Sequence, residues 1–162
     1  MKKFCLIMVL MLLLTGCGAQ ETMETVNDPM DVPVAAQEGK IMVNLPEEAA
    51  ATVMESEAGA LYLCDHYSVA LQTLDGGDLD ATLRLITGYG RDAISVIETE
   101  RYGMDRFDFV WTSVSEQGDQ VGRGCVISDG SYHYCVSVMG SAEDYHQNED
   151  RWNSLLSSFY VN

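Results

Sequence analysis

Apolar and polar positions along this chain fall into three regimes. Residues 4–14 form an unbroken apolar run of 11 residues. Residues 18–38 show no period at all. From residue 39 onward apolar and polar residues mostly alternate, with two interruptions at helical spacing. Alternation predicts strands with one face buried, and i, i+3, i+4 spacing predicts amphipathic helices.

The alternating region begins with "KIMVNLP", which reads as a strand ended by Pro46. A weaker strand follows at "ATVME". The long segment "ALYLCDHYSVALQTL" places Leu61, Leu63, Tyr67, Val69 and Leu71 on one face, with a bend or bulge expected where Asp65 interrupts it. Chain breakers at "DGG" precede a short helix. Asp78 is placed to cap it, Leu79, Leu83 and Ile86 share one side, and Gly88 ends it. Four strands follow in a meander: "AISVIETERY", "RFDFVWTSV", "VGRGCVIS" and "SYHYCVSVM". Turns are expected at Gly103, at Gly118 with Asp119, and at Asp129 with Gly130. The last reads as a two-residue type I′ turn. A final helix is expected to be capped by Ser141, with Glu143 and Asp144 in its first turn. Its buried stripe is Tyr145, Trp152, Leu155, Leu156 and Phe159. The predicted fold class is α+β, an antiparallel β-sheet flanked by helices.

The first regime concerns destination rather than fold. Lys2 and Lys3 precede the apolar run, which is too short for the ~20 residues of a spanning helix. A charged start, a short apolar core and small residues make a secretory signal. Its end, Leu14-Thr15-Gly16-Cys17, resembles the bacterial lipobox. That resemblance implies diacylglycerol transfer to the Cys17 sulfur and cleavage before Cys17. The expected organisation is a signal peptide over 1–16, a lipidated Cys17 and disordered acidic tether over 17–38, and the folded domain over 39–162. The tether lacks Lys and Arg and carries Glu21, Glu24, Asp28, Asp31 and Glu38. Its 21 residues after Cys17 would span roughly 25 Å as a coil.

Charge narrows the partners. The chain has 9 Lys and Arg against 25 Asp and Glu, a net −16. Loss of residues 1–16 removes Lys2 and Lys3 and no acid, leaving 146 residues at −18. Such a surface repels nucleic acid and anionic head groups. Besides the anchor, that segment keeps three cysteines, Cys64, Cys125 and Cys135. An odd number is no disulfide framework.

Several segments together resemble the PsbP-like α/β/α sandwich, whose relatives include bacterial DcrB-type lipoproteins. They are "NLPEE", "LITGYG", "YGMDRFDFVWTSV", "ISDGSYHYCVSV" and "WNSLLSSFYV", spread over most of residues 39–161. The resemblance implies a protein-binding or metal-binding role rather than catalysis, and it transfers no particular ligand residue to this chain.

Candidate chemistry is sparse. There is no GxSxG, HExxH or Walker pattern. "DGGDLD" lacks the spacing of a calcium loop and reads as helix entry. The glycines of "GDQVGRG" read as turn residues, and Glu98, Glu100 and Asp108 as acids sharing a solvated strand face. One constellation stands out. Cys64 and His66 are two apart, as are His133 and Cys135. Within a strand each pair would point one way, onto the less apolar face, and two thiolates with two imidazoles suit tetrahedral zinc. The alternative is two small buried cysteines and two ordinary histidines. A two-residue turn would also place Cys125 opposite Tyr134 and Cys135 opposite Gly124, on opposite faces, which disfavours a bridge between them; a three-residue loop would place the cysteines directly opposite. Cys64 and Cys135 then make the better pair.

The sequence thus predicts a lipoprotein held extracytoplasmically on the cell membrane through Cys17, or on an outer membrane where one exists. Its role is a non-catalytic binding or accessory domain, with no cofactor, for a protein or envelope ligand and not nucleic acid. The alternatives are a zinc protein using Cys64, His66, His133 and Cys135, and a hydrolase with an unrecognised site.

Overall fold

A computed structural model describes residues 38–49, 52–115 and 118–162. The signal segment, Cys17 and the tether up to residue 37 lie outside the described residues. The elements run β1 (Ile41–Met42), β2 (Thr52–Ser56), β3 (Gly59–Cys64), β4 (Tyr67–Asp75), α1 (Leu79–Thr87), a 3-10 turn (Arg91–Ala93), β5 (Ser95–Arg101), β6 (Met104–Ser115), β7 (Gly118–Ser128), β8 (Tyr132–Ser141), α2 (Tyr145–Ser158) and β9 (Tyr160–Val161).

Strands β2 to β8 form a seven-stranded sheet in the order β2-β3-β4-β8-β7-β6-β5, with antiparallel neighbours throughout. Both faces are covered. On one, Val69, Cys125, Tyr134, Val136 and Val138 meet Trp152, Leu155, Leu156 and Phe159 from α2 and its C-terminal cap. On the other, Phe107, Phe109, Trp111, Val126 and Cys135 meet Leu83 of α1. This is an α/β/α sandwich. Double coverage explains why the middle of β7 and β8 reads as an almost continuous apolar run: neither set of alternating positions faces water.

The meander, α1 and the α2 stripe form as expected. Asp78 caps α1 by accepting from the Asp80 N–H at 2.9 Å, and Gly88 closes it at φ 81°. Five expectations need correction. The segment around Asp65 is a hairpin rather than one bent strand: Cys64 pairs with Tyr67 across Asp65 and His66, and His66 takes φ 69°. Tyr62 and Cys64 therefore share the face of Tyr67 and Val69, while Leu63 is exposed. The first strand is only two residues long, and its partner is an unexpected strand after α2, Ile41 facing Val161 and Met42 facing Tyr160. Gly118 and Asp119 belong to β7, paired with Ser115 and Val114.

At the last hairpin, Ser128 faces His133, two steps further along β8 than a two-residue turn would set it. The Asp129 carboxylate is the reason. Its Oδ1 accepts from the N–H groups of Ser131 (2.8 Å) and Tyr132 (2.7 Å), and its Oδ2 accepts from the Tyr134 hydroxyl (2.8 Å). An Asx-stabilised turn over residues 129–132, closed by the Asp129 N–H donating to the Tyr132 carbonyl at 3.3 Å, replaces the turn centred on Asp129-Gly130. Finally, Ser141 ends β8. Its Oγ accepts from the Asp144 N–H at 3.2 Å, in a turn that precedes α2, so Glu143 and Asp144 stand before the helix rather than in its first turn.

Candidate functional site

The proposed metal quartet does not assemble. Cys64 packs on the α2 side of the sheet and Cys135 on the α1 side. His66 sits in the β3–β4 turn, its Nδ1 3.6 Å from Asp144 Oδ2. His133 is buried with Nδ1 2.7 Å from Thr82 Oγ1, on the α1 side. Cys64 ends β3 and His66 lies in the turn before β4, so the two do not share a strand. Among the described residues no group of three or more His, Cys, Asp or Glu is placed to hold a metal ion. The lipidation residue Cys17 lies outside the described residues.

The thiols are also poor nucleophiles. Cys64, Cys125 and Cys135 are free. Burial pushes each thiol upward, Cys135 to about 12, and the thiolate is the reactive form. Cys125 and Cys135 face opposite sides of the sheet, as expected, but Cys125 sits opposite Val136 and Cys135 opposite Val126. The pairing of Cys64 with Cys135 is ruled out by the same two faces. The acids separate likewise: Glu98 pairs with Phe107 on the α1 side, whereas Asp108 pairs with Ile97 on the other.

A different feature emerges on the α2 side. Helix α2 packs chiefly over β7 and β8, and the β5–β6 half of that face is only partly covered, Arg106 and Arg101 donating to the Leu156 and Ser157 carbonyls. Ile97 and Val110 are exposed there, at 66% and 42%. Between that half and the helix runs a groove of about 290 Å³. Ile97, Asp108 and Val110 contribute to its floor, Asn153 and Ser157 to its helical wall, and two arginines line it.

Arg106 is nearly buried. Its Nε and Nη2 donate to the two Asp108 oxygens, each at 2.8 Å, and Nη2 also donates to the Leu156 carbonyl at 3.0 Å. The bond to Asp108 raises its pKa and keeps it charged. Its Nη1 is buried with no hydrogen-bond partner among the described residues. A charged donor in that position costs free energy unless an acceptor reaches it. Arg123 donates to Asn153 Oδ1 and makes no ion pair among the described residues. By contrast, Arg84, Arg91 and Arg151 are each matched to a carboxylate. A larger cavity of about 350 Å³ beside Asn44 and Asp150 contains Arg151, already paired with Glu48 at 3.1 Å.

Arg123, beside the apolar side chains of the groove, suits a carboxylate or phosphate, whereas Arg106 already holds Asp108 through Nε and Nη2 and has only Nη1 left. They supply no nucleophile and no acid–base pair. Neither arginine stood out in the sequence. The available signal was Arg123 between Gly122 and Gly124, and those glycines are mid-strand rather than in a turn: each lies under an aromatic ring, Trp111 over Gly122 and Phe109 over Gly124.

No protein-family model matches this chain, and no curated protein matches it. Solved structures do. LpqN of Mycobacterium tuberculosis, described as involved in cell envelope biogenesis, aligns at TM-score 0.51 and 10% identity over 77% of this chain and 84% of that one. A Bacteroides thetaiotaomicron protein aligns at TM-score 0.51 and 9% identity over 75% of this chain, which spans only 45% of that structure. The cyanobacterial PsbP of Synechocystis, CyanoP, aligns at TM-score 0.50 and 7% identity over 75% of this chain and 82% of that one. At such identities the likeness concerns architecture alone, and the architecture of this chain is a PsbP-like α+β sandwich.

Proposed function

We propose that the protein is a lipoprotein, anchored extracytoplasmically through acylated Cys17, whose domain binds a protein or envelope ligand without catalysis. The arginine-lined groove beside α2 carries the binding part: in a chain of net −16, the charged Arg106 has Nη1 buried without an acceptor among the described residues. Anchoring is supported by the Leu14-Thr15-Gly16-Cys17 pattern behind a charged start and a short apolar run. A role at the envelope agrees with the description of LpqN, a protein of similar fold. The acidic balance disfavours nucleic acid.

Two measurements test this reading. The mass of the N-terminal peptide should show a lipidated Cys17, and Cys17→Ala should move the protein out of the detergent phase. A mature N-terminus elsewhere, without lipid, overturns the anchor. A photo-crosslinking residue at Ile97, in the groove, should give a discrete adduct in intact cells. The same residue at Glu55, on β2 at the opposite sheet edge, should not. Equal labelling at both positions, or none at Ile97, overturns the groove as the binding site.

A further inference from the structure

The groove opens onto an unpaired length of backbone. Strand β5 pairs with β6 only from Arg101↔Met104 to Ser95↔Val110. Strand β6 continues through residues 111–115, which pair with β7 on their inner side, from Trp111↔Gly122 to Ser115↔Gly118. Among the described residues no strand pairs with the outer edge of that segment. Five residues at ~3.3 Å each make an edge of roughly 17 Å. A cavity of about 450 Å³ runs beside it, lined by Tyr89, Ile94, Val110 and Val114. It shares Ser95 and Val110 with the arginine groove, so edge and groove are continuous.

Open edges are ordinarily guarded by charge. Strand β5, the end strand of the sheet, carries Glu98, Glu100 and Arg101. The open part of β6 is Trp-Thr-Ser-Val-Ser, with no charge, and Val114 is 85% exposed. An uncharged, unpaired edge is a template for another strand. Charge says which strand. Arg123 pairs with Val110, at the level where β5 ends and an added strand would begin. Among the described residues Arg123 lacks a carboxylate and Arg106 Nη1 lacks an acceptor.

We propose that the outer edge of β6 over residues 111–115 accepts an extended segment of a partner protein as an added antiparallel or parallel strand, with an acidic side chain of that segment held at Arg123. Main-chain hydrogen bonds supply the affinity, and Val110, Val114 and Arg123 select alternate side chains. This deepens, and rests on, the reading of the groove as a ligand site.

The test uses the full-length chain in detergent and a phage-displayed library of random nonapeptides. Selected peptides should share an acidic residue within an alternating apolar frame. Synthesised and measured by fluorescence anisotropy, they should lose about ten-fold or more in affinity on Arg123→Ala, and equally on Asp→Asn in the peptide, while Arg123→Lys retains part of the binding. A thermal melt of Arg123→Ala identifies any loss that comes from misfolding, and the peptide substitution needs no protein variant at all. N-methylation at one alternate set of peptide amides should abolish binding, and at the other set leave it intact. Peptides without acid preference, or binding unchanged in Arg123→Ala, overturn the charge assignment. Equal tolerance of both methylated sets overturns strand addition. Self-association that the peptides block would make a second copy the occupant instead. Acid-dependent peptide binding by a chain without lipid keeps this proposal and removes the anchor. Crosslinking at Ile97 without acid-dependent binding keeps the groove and removes this proposal.

Discussion

Gly122→Ala tests whether the sheet is packed on its α1 side as described. Gly122 faces Trp111 across the β6–β7 ladder. An ideal Cβ on Gly122 would fall inside contact distance of Trp111 Cζ2 and Cε2, and 2.5 Å from Cη2. Ordinary carbon contacts are ~3.5–4.0 Å, so ring or backbone must shift by an ångström or more. Alanine has an opposing advantage of roughly 0.5–1 kcal/mol over glycine in a strand. Overpacking costs about 1–3 kcal/mol. The clash is with a rigid ring buried to 6% exposure, not with the end of a flexible chain, so the second effect should win. Swinging the ring into water offers no escape, because ~150–250 Å² at ~25 cal/mol per Å² would cost about 4–6 kcal/mol. The expected net loss is about 0.5–2 kcal/mol, read as a lower urea midpoint at unchanged m. In a Trp111→Val background the Cβ has room, and the same substitution should become neutral or stabilising. Undiminished stability of the single variant, or an equal loss in the Trp111→Val background, would refute this packing.

Three further outcomes follow from buried groups. Trp152, 1% exposed between Tyr67 and Tyr145, should cost about 3–5 kcal/mol as Trp152→Ala in denaturant titration; Trp152→Phe should cost clearly less, because Nε1 has no hydrogen bond among the described residues to lose. Burial lowers the pKa of His133, against the pull of Asp129 and Asp78, so the unfolded chain takes up a proton near its ordinary value of 6.5 that the folded chain refuses. That share of stability is complete above 6.5 and is lost as pH falls toward the folded value; melts at pH 7.5 and 5.5 should show it, and His133→Gln should flatten the slope. Alkylation in native buffer should label Cys64 ahead of Cys125 and Cys135, which react only on unfolding, and a native Cys125–Cys135 crosslink would contradict the register.

The elements that the sequence disclosed are those set by local rules. Leu79, Leu83 and Ile86 repeat at helical spacing between a capping Asp78 and Gly88, and α1 needs nothing else to be drawn. The β5–β8 meander announces itself through alternation and turn residues. What failed was non-local. Asp65 and His66 look like two polar residues in a long strand; only the return of Tyr67 against Cys64 shows a hairpin, and that single turn moves Cys64 to the other face. Asp129-Gly130 matches a two-residue turn until the carboxylate of Asp129 is seen gathering two backbone N–H groups and the Tyr134 hydroxyl. The register changed by two, an even number, so the faces of Cys125 and Cys135 came out right from the wrong turn. The partner of β1 could not be read because Tyr160–Val161 looks like a continuation of the helix stripe begun at Trp152.

The groove was hidden for a related reason. A guanidinium recruits a ligand only where the protein's own acids leave it free, and pairing is decided in three dimensions. Arg84 meets an acid four residues earlier in its helix, which a sequence can show. Arg91 meets Glu98 and Arg151 meets Glu48 only through the fold, and Arg123 meets none among the described residues. Written as letters, these arginines are equivalent. The position of Arg123 adds what residue type cannot: it stands opposite Val110, where the shorter β5 stops and β6 goes on alone. Extending β5 past Ser95 would close that edge, and shortening β6 at Val110 would remove it. The mismatch in strand length therefore creates the opening, and Arg123, without a carboxylate among the described residues, gives it a preference for acid.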